Sequence, residues 1–502
     1  MFKPSAVFAT DSYKLGHMVQ YPEGTELVYS NFTPRTAKYS PVPAELDDGK
    51  IVVFGVQSLV RDLRDFWEET FFKVDWDTIK ENLEEATASF VGDAGFEQGI
   101  ENFRKLHNLG YLPLLIKAID EGEVISPKVP MLTMCNTHPD FYWLTNYIET
   151  WISQELWKMP TVATIARAYR RLVTKYAIET GAPLEFCDWQ CHDFSARGLC
   201  GMYDNGKVGA AHLTSFKGTD SLLGVQFINQ YYDGKQTFVG GSVPATEHSV
   251  MCMGGKEDEL ETYRRLITMY ESGIVSIVSD TYDFWKVITE YVVILKEDIL
   301  NRKPDSMGMA KVVFRPDSGD PVKIICGDPD ADVGTPAHKG AVECLWDVFG
   351  GTTTANGYKV LNERVGLIYG DSITLKRASE ILEGLKAKGF SSNNIVFGIG
   401  SYSYQGALTR DTFGFAMKAT YGLVNDEGRE IFKDPVTDDG TKKSAVGMLR
   451  VEKDEAGEYR VFDRQNTEQE MLGELKIVFF NGFLGLMQPI SLIRQRILDS
   501  IR

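Results

Sequence analysis

Apolar residues recur at helical spacing between Asp140 and Glu155, and helical periodicity continues to about Gly181. The apolar positions of the first stretch are Phe141, Leu144, Tyr147, Ile148, Trp151 and Ile152. Pro160 separates this helix from a second one, and Gly181 suits the end of the second because glycine accepts the left-handed backbone of a C-terminal cap. We interpret the aromatic stripe as core packing of two helices.

Beyond residue 180 the pattern changes to short apolar runs that end abruptly in polar residues. Residues 274–278 precede Asp280, residues 312–314 precede Arg315 and Asp317, and residues 365–369 precede Gly370 and Asp371. Short apolar runs of this kind are typical of buried strands. The repetition predicts several strands with polar residues at their carboxyl ends.

The clearest unit lies between residues 365 and 401. Val365–Tyr369 is predicted to be a strand, Ser372 to cap the following helix, and Gly389 to end it. One face of that helix is apolar, at Leu375, Ala378, Ile381, Leu382 and Leu385. Ile395–Phe397 is predicted to be the next strand, so the unit is βαβ and its strands are parallel.

Parallel strands covered by helices carry functional residues at their carboxyl ends, because the loops leaving those ends converge on one mouth. Asp280, Arg315, Asp317 and Asp371 are all placed there by the pattern. An aspartate after a strand also often serves only as a helix cap or turn residue. Four charged residues at strand ends favour a site over isolated caps.

The chain after about residue 405 is rich in glycine and charge, and residues 449–463 predict a hairpin around Glu455–Gly457. We therefore expect three segments. Residues 1–180 are an N-terminal segment with a helical section, residues 181–400 form a barrel-like β/α domain, and residues 401–502 complete an α+β domain with the N-terminal segment.

Composition excludes some classes of binding partner. The 502 residues carry a formal charge of −17, which disfavours binding to nucleic acid or to an anionic membrane. The seven cysteines form no C-x-x-C pair and indicate reduced thiols, and the N-terminus has no secretory signal pattern. The longest uncharged apolar-rich run, residues 477–493, is too short to span a bilayer. We expect a cytoplasmic enzyme with a small ligand.

The predicted mouth combines carboxylates with arginines. Arginine binds phosphate oxygens, and carboxylates hold a metal ion or ribose hydroxyls, so the mixture suits a phosphorylated ligand accompanied by Mg2+. The sequence has no Walker-type phosphate loop that would strengthen this interpretation.

Ten ordered sequence blocks cover nearly the whole chain and resemble those of the nicotinamide phosphoribosyltransferases. They are ATDSYKLGHMVQYPEGT (9–25), YWLTNYIET (142–150), HDFSARG (192–198), FKGTD (216–220), SVPATEHS (242–249), SIVSDTYD (276–283), FRPDSGDP (314–321), GDSI (370–373), LTRD (408–411) and FKDPV (432–436). The resemblance implies the type II phosphoribosyltransferase fold, in which a barrel-like β/α domain is joined to an α+β domain made of N- and C-terminal segments. It also implies a homodimer with active sites at the subunit interface.

The resemblance implies roles for residues that bind the base. Phe194 and the Tyr13 supplied by the second subunit would sandwich the pyridine ring, and Arg197, Ser276 and Arg315 would contact substrate. Asp220 would accept a hydrogen bond from the amide of nicotinamide and repel the carboxylate of nicotinate. A helix cap is the alternative role for Asp220.

The resemblance also implies phosphate-binding residues. The phosphoribosyl group would be held by Asp317, Gly370 and Asp371 and by a loop containing Gly400 and Ser401. The pyrophosphate would be bound by basic residues, namely Arg35, Arg410, Lys418, Lys433 and Lys442. The chain reads GIGSYSY at residues 398–404, where the family has a run of glycines. The departure affects the loop whose backbone would approach the 5-phosphate of the substrate closely.

His248 resembles the histidine that the family phosphorylates when it hydrolyses ATP, although a lone histidine is more often structural. Glu247 or Asp280 would orient the imidazole or support Mg2+. Mg2+ would accompany pyrophosphate or ATP, with no direct protein ligand assigned. Two alternatives remain, a nicotinate phosphoribosyltransferase and a noncatalytic binding protein on the same scaffold.

Overall fold

The computed structural model describes residues 2–88, 96–236, 238–432, 445–485 and 487–501. Lys433 and Lys442, two of the predicted phosphate-binding residues, lie outside this part of the chain. Helices and strands alternate through most of the sequence, and no helix of the described residues is long and apolar enough to cross a membrane.

The strands of the described residues, in chain order, are β1 (Thr25–Thr33), β2 (Ile51–Val52), β3 (Leu114–Ala118), β4 (Val124–Ile125), β5 (Leu132–Asn136), β6 (Cys191–Asp193), β7 (Gly218–Thr219), β8 (Val275–Val278), β9 (Val312–Arg315), β10 (Gly351–Thr353), β11 (Lys359–Leu361), β12 (Val365–Tyr369), β13 (Val396–Ile399), β14 (Ala416–Val424), β15 (Glu427–Glu430), β16 (Met448–Lys453), β17 (Tyr459–Gln465), β18 (Lys476–Phe480) and β19 (Phe483–Leu484).

The α-helices of the same residues are α1 (His17–Gln20), α2 (Val56–Trp67), α3 (Trp76–Ala88), α4 (Phe96–Leu109), α5 (Leu144–Leu156), α6 (Lys158–Thr180), α7 (Met202–His212), α8 (Leu222–Tyr231), α9 (His248–Met253), α10 (Glu259–Met269), α11 (Phe284–Lys286), α12 (Val292–Ile294), α13 (Lys296–Leu300), α14 (Pro321–Cys326), α15 (Pro336–Lys339), α16 (Ala341–Phe349), α17 (Leu375–Ala387), α18 (Ser401–Tyr404), α19 (Thr467–Glu470) and α20 (Ile490–Asp499). Short 3-10 or π turns occur at Ala6–Phe8, Ser12–Gly16, Glu68–Phe72, Pro139–Phe141, Leu184–Asp188, Ala196–Gly198, Gly234–Gln236, Val287–Tyr291, Ser392–Asn394 and Arg410–Thr412.

A parallel sheet forms the first half of the architecture, with strand order β7-β6-β13-β12-β9-β8. The segment between Gly241 and Ala245 joins its two outer strands, because Gly241 bridges Gly218 of β7 and Ala245 bridges Ser276 of β8, both in the parallel sense. This segment gives the curved sheet its barrel-like shape, and it brings the carboxyl ends of all six strands to one mouth.

An antiparallel sheet forms the other half, with strand order β15-β14-β1-β5-β3-β18-β19. Strands β1, β3 and β5 come from the N-terminal part of the chain, and the other four come from the C-terminal part. The predicted fold class, a barrel-like β/α domain with an α+β domain built from both ends of the chain, is confirmed. The predicted hairpin is also present, as the antiparallel pair β16 and β17.

Buried apolar residues form two clusters, one around each sheet. Helix α5 packs with the antiparallel sheet, whereas α6 and α20 contribute to the core of the parallel sheet. Gly181 ends α6 in the left-handed conformation expected of it, with a φ of 73°. The domain boundaries at residues 180 and 400 stay predictions.

The βαβ unit is present as β12, α17 and β13, and β12 and β13 pair in parallel. Its helix cap differs from the prediction. Ser372 adopts a positive φ of 50° in the turn after β12, and Thr374 is the N-cap, where its side chain accepts a hydrogen bond from the backbone N–H of Arg377. The turn after the strand uses two more residues than the sequence pattern indicated, so the helix begins at Leu375.

Candidate active site

The mouth is lined by alternate residues of the parallel strands, since residues in register on neighbouring strands face the same side of a sheet. Ser276 is paired with Val313, which lies two residues before Arg315, so these side chains share the inner face. On the other side of the barrel, Gly398, His192 and Gly218 are in register across three strands. The inner face therefore mixes glycines with a few polar and aromatic side chains.

The aspartates that follow the strands do not cap the next helices. Asp283, Asp320 and Thr374 do so, each three residues after Asp280, Asp317 and Asp371, respectively. The structure thus separates two tasks that one aspartate often combines, and leaves the carboxylates at the strand ends available to the mouth.

Asp280 connects three groups at the ends of β8 and β9. One carboxylate oxygen lies 3.1 Å from Nε2 of His248. The other accepts hydrogen bonds from the backbone N–H of Asp317, at 3.0 Å, and from the hydroxyl of Ser318, at 2.5 Å. The Asp280 side chain is only 7% exposed, whereas that of His248 is 48% exposed. A buried carboxylate thereby fixes an accessible imidazole at the first position of α9.

Glu247 lies beside this pair but does not contact His248 in the same way. Its carboxylate accepts a hydrogen bond from the hydroxyl of Ser249, and its side chain does not cap α9. The imidazole is therefore oriented by Asp280.

The pKa of Asp317 is raised above its ordinary value. Burial is the largest cause of this rise, and the negative charges of Asp280 and Asp371 also raise the pKa. The positive charge of Arg315 lowers it, and His248 lowers it weakly. Three carboxylates thus share one region with a single arginine close by. This excess of negative charge fits a ligand that brings a cation.

The guanidinium of Arg315 has one hydrogen-bonded nitrogen and one buried nitrogen without a partner. Its guanidinium donates to the carbonyl of Thr246 at 2.8 Å, and its Nε is buried without a hydrogen-bond partner. A buried donor that is left unpaired normally costs stability, so this one points to a group that the mouth receives.

Phe194 extends over two glycines of the inner face. A Cβ atom at Gly398 would lie 2.2 Å from the Phe194 ring, and one at Gly370 would lie 2.8 Å from it. The ring also lies close to Asp317, since the same Cβ position at Gly370 is 3.8 Å from a carboxylate oxygen of Asp317. The glycines make room for a flat aromatic surface beside the carboxylates.

Asp220 follows β7, and its carboxylate is held by two donors. Oδ1 lies 3.1 Å from Nε2 of His192 and also accepts a hydrogen bond from the hydroxyl of Ser242. Burial by itself would raise the pKa of Asp220, but hydrogen bonds from His192 and Ser242 and the charge of Arg315 lower it below its ordinary value. Helix α8 is capped by Ser221, so Asp220 is free of that task.

The loops after β6 and β13 pack against each other. A Cβ atom at Gly198 would lie 2.3 Å from the hydroxyl oxygen of Ser401, so these two positions fit only because residue 198 is glycine. Ser401 is the first residue of α18, directly after Gly400. Arg197 is exposed beside this contact. Both loops therefore lie at the carboxyl ends of β6 and β13, and the ligand roles of Arg197, Gly400 and Ser401 stay predictions.

Other predicted residues lie on the antiparallel half. Arg35 follows β1, Arg410 precedes β14, and Lys418 lies within β14 opposite Asn31. The three basic residues are thus near one another in the fold but not at the carboxyl ends of the parallel strands. Tyr13 lies in the turn Ser12–Gly16 and is 58% exposed.

Two members of the site had no role in the sequence interpretation. His192 belongs to the block HDFSARG, and Ser242 lies in the segment that joins the outer strands. The period of a strand would have placed His192 on the same face as Phe194, two residues later. Ser242 begins the block SVPATEHS, but only the completed barrel shows that its hydroxyl reaches Asp220.

No group of three or more histidine, cysteine, aspartate or glutamate side chains is arranged to hold a metal ion among residues 2–88, 96–236, 238–432, 445–485 and 487–501. The charges of Asp280 and Asp371 both raise the pKa of Asp317, so these three carboxylates lie near one another without forming such a group.

Two family profiles match the chain. The profile described as the nicotinate phosphoribosyltransferase (NAPRTase) family matches residues 189–481, and that described as the nicotinamide phosphoribosyltransferase N-terminal domain matches residues 5–101. Two solved structures are similar in fold. One is nicotinate-nucleotide pyrophosphorylase from Pyrococcus furiosus, with a TM-score of 0.57 and 16% identity; the match covers 99% of this chain and 95% of that one. The other is human nicotinic acid phosphoribosyltransferase, with a TM-score of 0.55 and 14% identity; the match covers 98% of this chain and 93% of that one.

Curated relatives are similar over most of their length. A nicotinamide phosphoribosyltransferase of Acinetobacter baylyi is 57% identical over 100% of this chain and 98% of its own. One from Mycoplasma pneumoniae is 34% identical over 88% of this chain and 95% of its own. Together with the strand-end carboxylates and the paired Asp220, these matches show that the chain belongs to the nicotinamide phosphoribosyltransferase family.

Proposed function

We propose that this enzyme joins nicotinamide to phosphoribosyl pyrophosphate and releases nicotinamide mononucleotide and pyrophosphate. The observation that carries the proposal is the carboxylate of Asp220, held by His192 and Ser242 at the mouth of the barrel. The relatives described above carry the name of this activity. The same site provides an aromatic surface at Phe194 and a partly unpaired arginine at Arg315.

Asp220 supplies the choice of base. An ionised carboxylate accepts a hydrogen bond from the amide NH2 of nicotinamide. The carboxylate of nicotinate would face Asp220 with like charge and no shared proton. The lowered pKa of Asp220 keeps it ionised, which supports a preference for the amide.

The chemical step follows from the neighbouring groups. The pyridine nitrogen attacks C1 of the ribose, the bond from C1 to the pyrophosphate oxygen breaks, and the transition state resembles an oxocarbenium ion. Phe194 would position the ring, and Asp317 and Asp371 would hold ribose hydroxyls and stabilise positive charge near C1. Mg2+ carried by pyrophosphate would neutralise charge on the leaving group.

The decisive experiment compares nicotinamide with nicotinate as substrates of the purified full chain, with phosphoribosyl pyrophosphate and Mg2+, each with and without ATP. Formation of nicotinamide mononucleotide with a preference for nicotinamide supports the proposal. Turnover of nicotinate alone would favour the second candidate, nicotinate phosphoribosyltransferase, whose family profile covers residues 189–481. Absence of turnover with both bases would favour a binding protein.

Replacing Asp220 with asparagine is expected to lower the preference for nicotinamide over nicotinate about tenfold, measured as the ratio of the two kcat/KM values. The amide of asparagine keeps the size of the side chain, removes its negative charge and can donate to a carboxylate. Asp330→Asn, a change at a carboxylate that is 86% exposed on the surface, is the control. An unchanged ratio in Asp220→Asn would exclude this residue from base selection.

We further propose that ATP hydrolysis is coupled to the reaction through phosphorylation of His248. Nε2 of His248 faces the carboxylate of Asp280, so Nε2 donates to it, and in the neutral imidazole Nδ1 keeps the lone pair. Nδ1 would attack the γ-phosphorus, and ADP would leave. The exposure of the imidazole supports access by ATP.

Incubation with γ-labelled ATP is expected to leave acid-labile phosphate on the wild-type protein and none on His248→Ala. The same variant is expected to lose ATP hydrolysis, because no other imidazole replaces the acceptor. Label that survives acid, or label of equal amount on the variant, would contradict a phosphohistidine at residue 248.

We propose that the enzyme is a homodimer whose active sites lie at the subunit interface. Large apolar side chains are exposed around the mouth, and they are Met202, Tyr203, Leu222 and Tyr402. Exposed apolar clusters of this kind mark contact surfaces. Tyr13 is exposed on the other half of the chain and would complete the base pocket of the second subunit.

Mixing of two inactive variants tests this arrangement. Tyr13→Ala and Asp317→Ala chains, unfolded together and refolded, are expected to regain part of the wild-type turnover, because one mixed site then combines an intact Tyr13 with an intact Asp317. The Asp317→Ala and Asp371→Ala pair is the control, since both residues belong to one mouth. Equal recovery in the two mixtures, or a monomer in sedimentation, would contradict a shared site.

A cytoplasmic location completes the proposal. The seven cysteines are free thiols in the structure, which supports a reducing compartment.

A further inference from the structure

His192 lies between the two groups that receive the base. It is on the inner face of β6, in register with Gly218 of β7. A Cβ atom at Gly218 would lie 2.7 Å from Nδ1 of His192, so the imidazole occupies the space that a side chain at residue 218 would need. The ring meets Phe194 edge to face, with centroids 5.3 Å apart, and its side chain is 12% exposed.

The proton of His192 can be placed from its partner. Oδ1 of Asp220 lies 3.1 Å from Nε2, and an ionised carboxylate only accepts hydrogen bonds. Nε2 therefore carries a proton and donates it. Ser242 donates to the same oxygen, and no hydrogen bond between described residues reaches Oδ2. Two donors thus hold one oxygen of Asp220 and leave the other open on a side chain that is 47% exposed.

We propose that His192 is a specificity-determining residue, which acts through Asp220 to select an amide base over a carboxylate base. The inference rests on the proposed function and assigns a new residue to it. By fixing Oδ1, His192 prevents rotation of the carboxylate about its last bond and presents Oδ2 as the acceptor for the substrate amide. Donation to Oδ1 also favours the ionised form of Asp220, which is the form that repels nicotinate.

The packing of His192 against Phe194 connects it directly to the selection of the base. The edge of the imidazole touches Phe194, so the same side chain that orients Asp220 also supports the aromatic surface for the pyridine ring. A change at His192 therefore has two separable effects. Loss of ring support would affect both bases equally, whereas loss of the hydrogen bond would affect the amide base more.

The test measures kcat and KM for nicotinamide and for nicotinate with the full chain and four variants. His192→Leu removes the donor and keeps an apolar side chain, and it is expected to lower the ratio of the two kcat/KM values about tenfold, mainly through a higher KM for nicotinamide. His192→Gln places an amide N–H near the position of Nε2 and is expected to keep the ratio within about threefold of wild type.

Two further variants are expected to weaken the hydrogen bonding of Asp220 without changing His192 itself. Gly218→Ala would displace the imidazole, and Ser242→Ala would remove the second donor, so both are expected to lower the ratio. They keep the experiment informative if His192→Leu does not fold, and thermal melting reports on folding for all four.

The outcomes are distinguishable. A wild-type protein that does not use nicotinamide overturns the proposed function and, with it, this inference. If the wild-type protein is selective but His192→Leu loses activity equally with both bases, only the inference is overturned. In that case His192 acts by supporting the Phe194 ring and not through its hydrogen bond to Asp220. A His192→Gln variant as unselective as His192→Leu would overturn it as well.

Discussion

Replacing Asp280 with alanine is expected to lower kcat/KM for phosphoribosyl pyrophosphate by about 100-fold or more. The buried carboxylate binds the backbone N–H of Asp317, the hydroxyl of Ser318 and Nε2 of His248. Without it, the loop that carries Asp317 loses its anchor, and a backbone N–H and a hydroxyl are left unpaired. Steady-state kinetics with phosphoribosyl pyrophosphate as the varied substrate measures the loss.

The matched control is Asp283→Ala. Asp283 lies three residues further along the same loop and caps α11 by accepting from the backbone N–H of Lys286. Its loss is expected to cost about 1 kcal/mol of stability and to leave the kinetics near wild type. If both variants lose activity to the same extent, the loop as a whole is sensitive, and the particular role of Asp280 is refuted.

Acidification is expected to destabilise the fold by about 3 kcal/mol through His212 alone. This histidine is fully buried, with Nδ1 2.7 Å from the hydroxyl of Tyr404 and Nε2 2.9 Å from the carbonyl of Gly218. A carbonyl only accepts, so Nε2 carries the proton and Nδ1 accepts from Tyr404. The hydrogen bonds of the neutral ring are satisfied, and a second proton would place a positive charge in a buried site.

The sign of the effect follows from the two pKa values. Burial lowers the pKa of His212 in the folded protein to about 4, from an ordinary value of 6.5; Asp193 opposes this shift, while His192 and Arg494 contribute to it. Below about pH 6.5 the unfolded chain takes up a proton that the folded chain does not, so stability from this group is complete above pH 6.5 and is lost as pH falls towards 4.

Urea unfolding at pH 7.5 and pH 5 is expected to show about 2 kcal/mol of this loss, because the remainder falls below pH 5. His212→Gln is expected to be less stable than wild type at pH 7.5, because the hydrogen bonds to Tyr404 and Gly218 are disturbed, but to lose less stability on acidification. His138→Gln, a change at an exposed histidine, controls for general acid effects. Equal pH dependence of wild type and His212→Gln would show that His212 is not the group responsible.

His212 also connects stability to the site. Its Nε2 holds the carbonyl of Gly218, and Gly218 is the residue over which His192 packs. A second proton on His212 goes to Nδ1, beside Tyr404, so the Nε2 hydrogen bond that holds Gly218 is kept.

Local pattern accounts for what was predicted correctly. Strand β12, helix α17 and the hairpin of β16 and β17 arise from periodicity and turn residues within a few positions of each other. Asp280, Asp317 and Asp371 were placed at strand ends by the same reasoning. The helix cap was misplaced from Thr374 to Ser372 because the length of a turn depends on dihedral angles that composition does not determine.

Long-range contact accounts for the rest. Asp220 and His192 are 28 residues apart, and Asp280 and His248 are 32 apart, and each pair meets only because the parallel strands are in register. Local pattern in the sequence predicted four of the parallel strands, the hairpin and the chemical types at the strand ends, since those depend on neighbouring residues, and the family resemblance implied the fold class. Only the tertiary structure decided which carboxylate is paired with which imidazole, because Asp220 meets His192 through the pairing of β6 with β7, and His248 follows the segment that bridges β8.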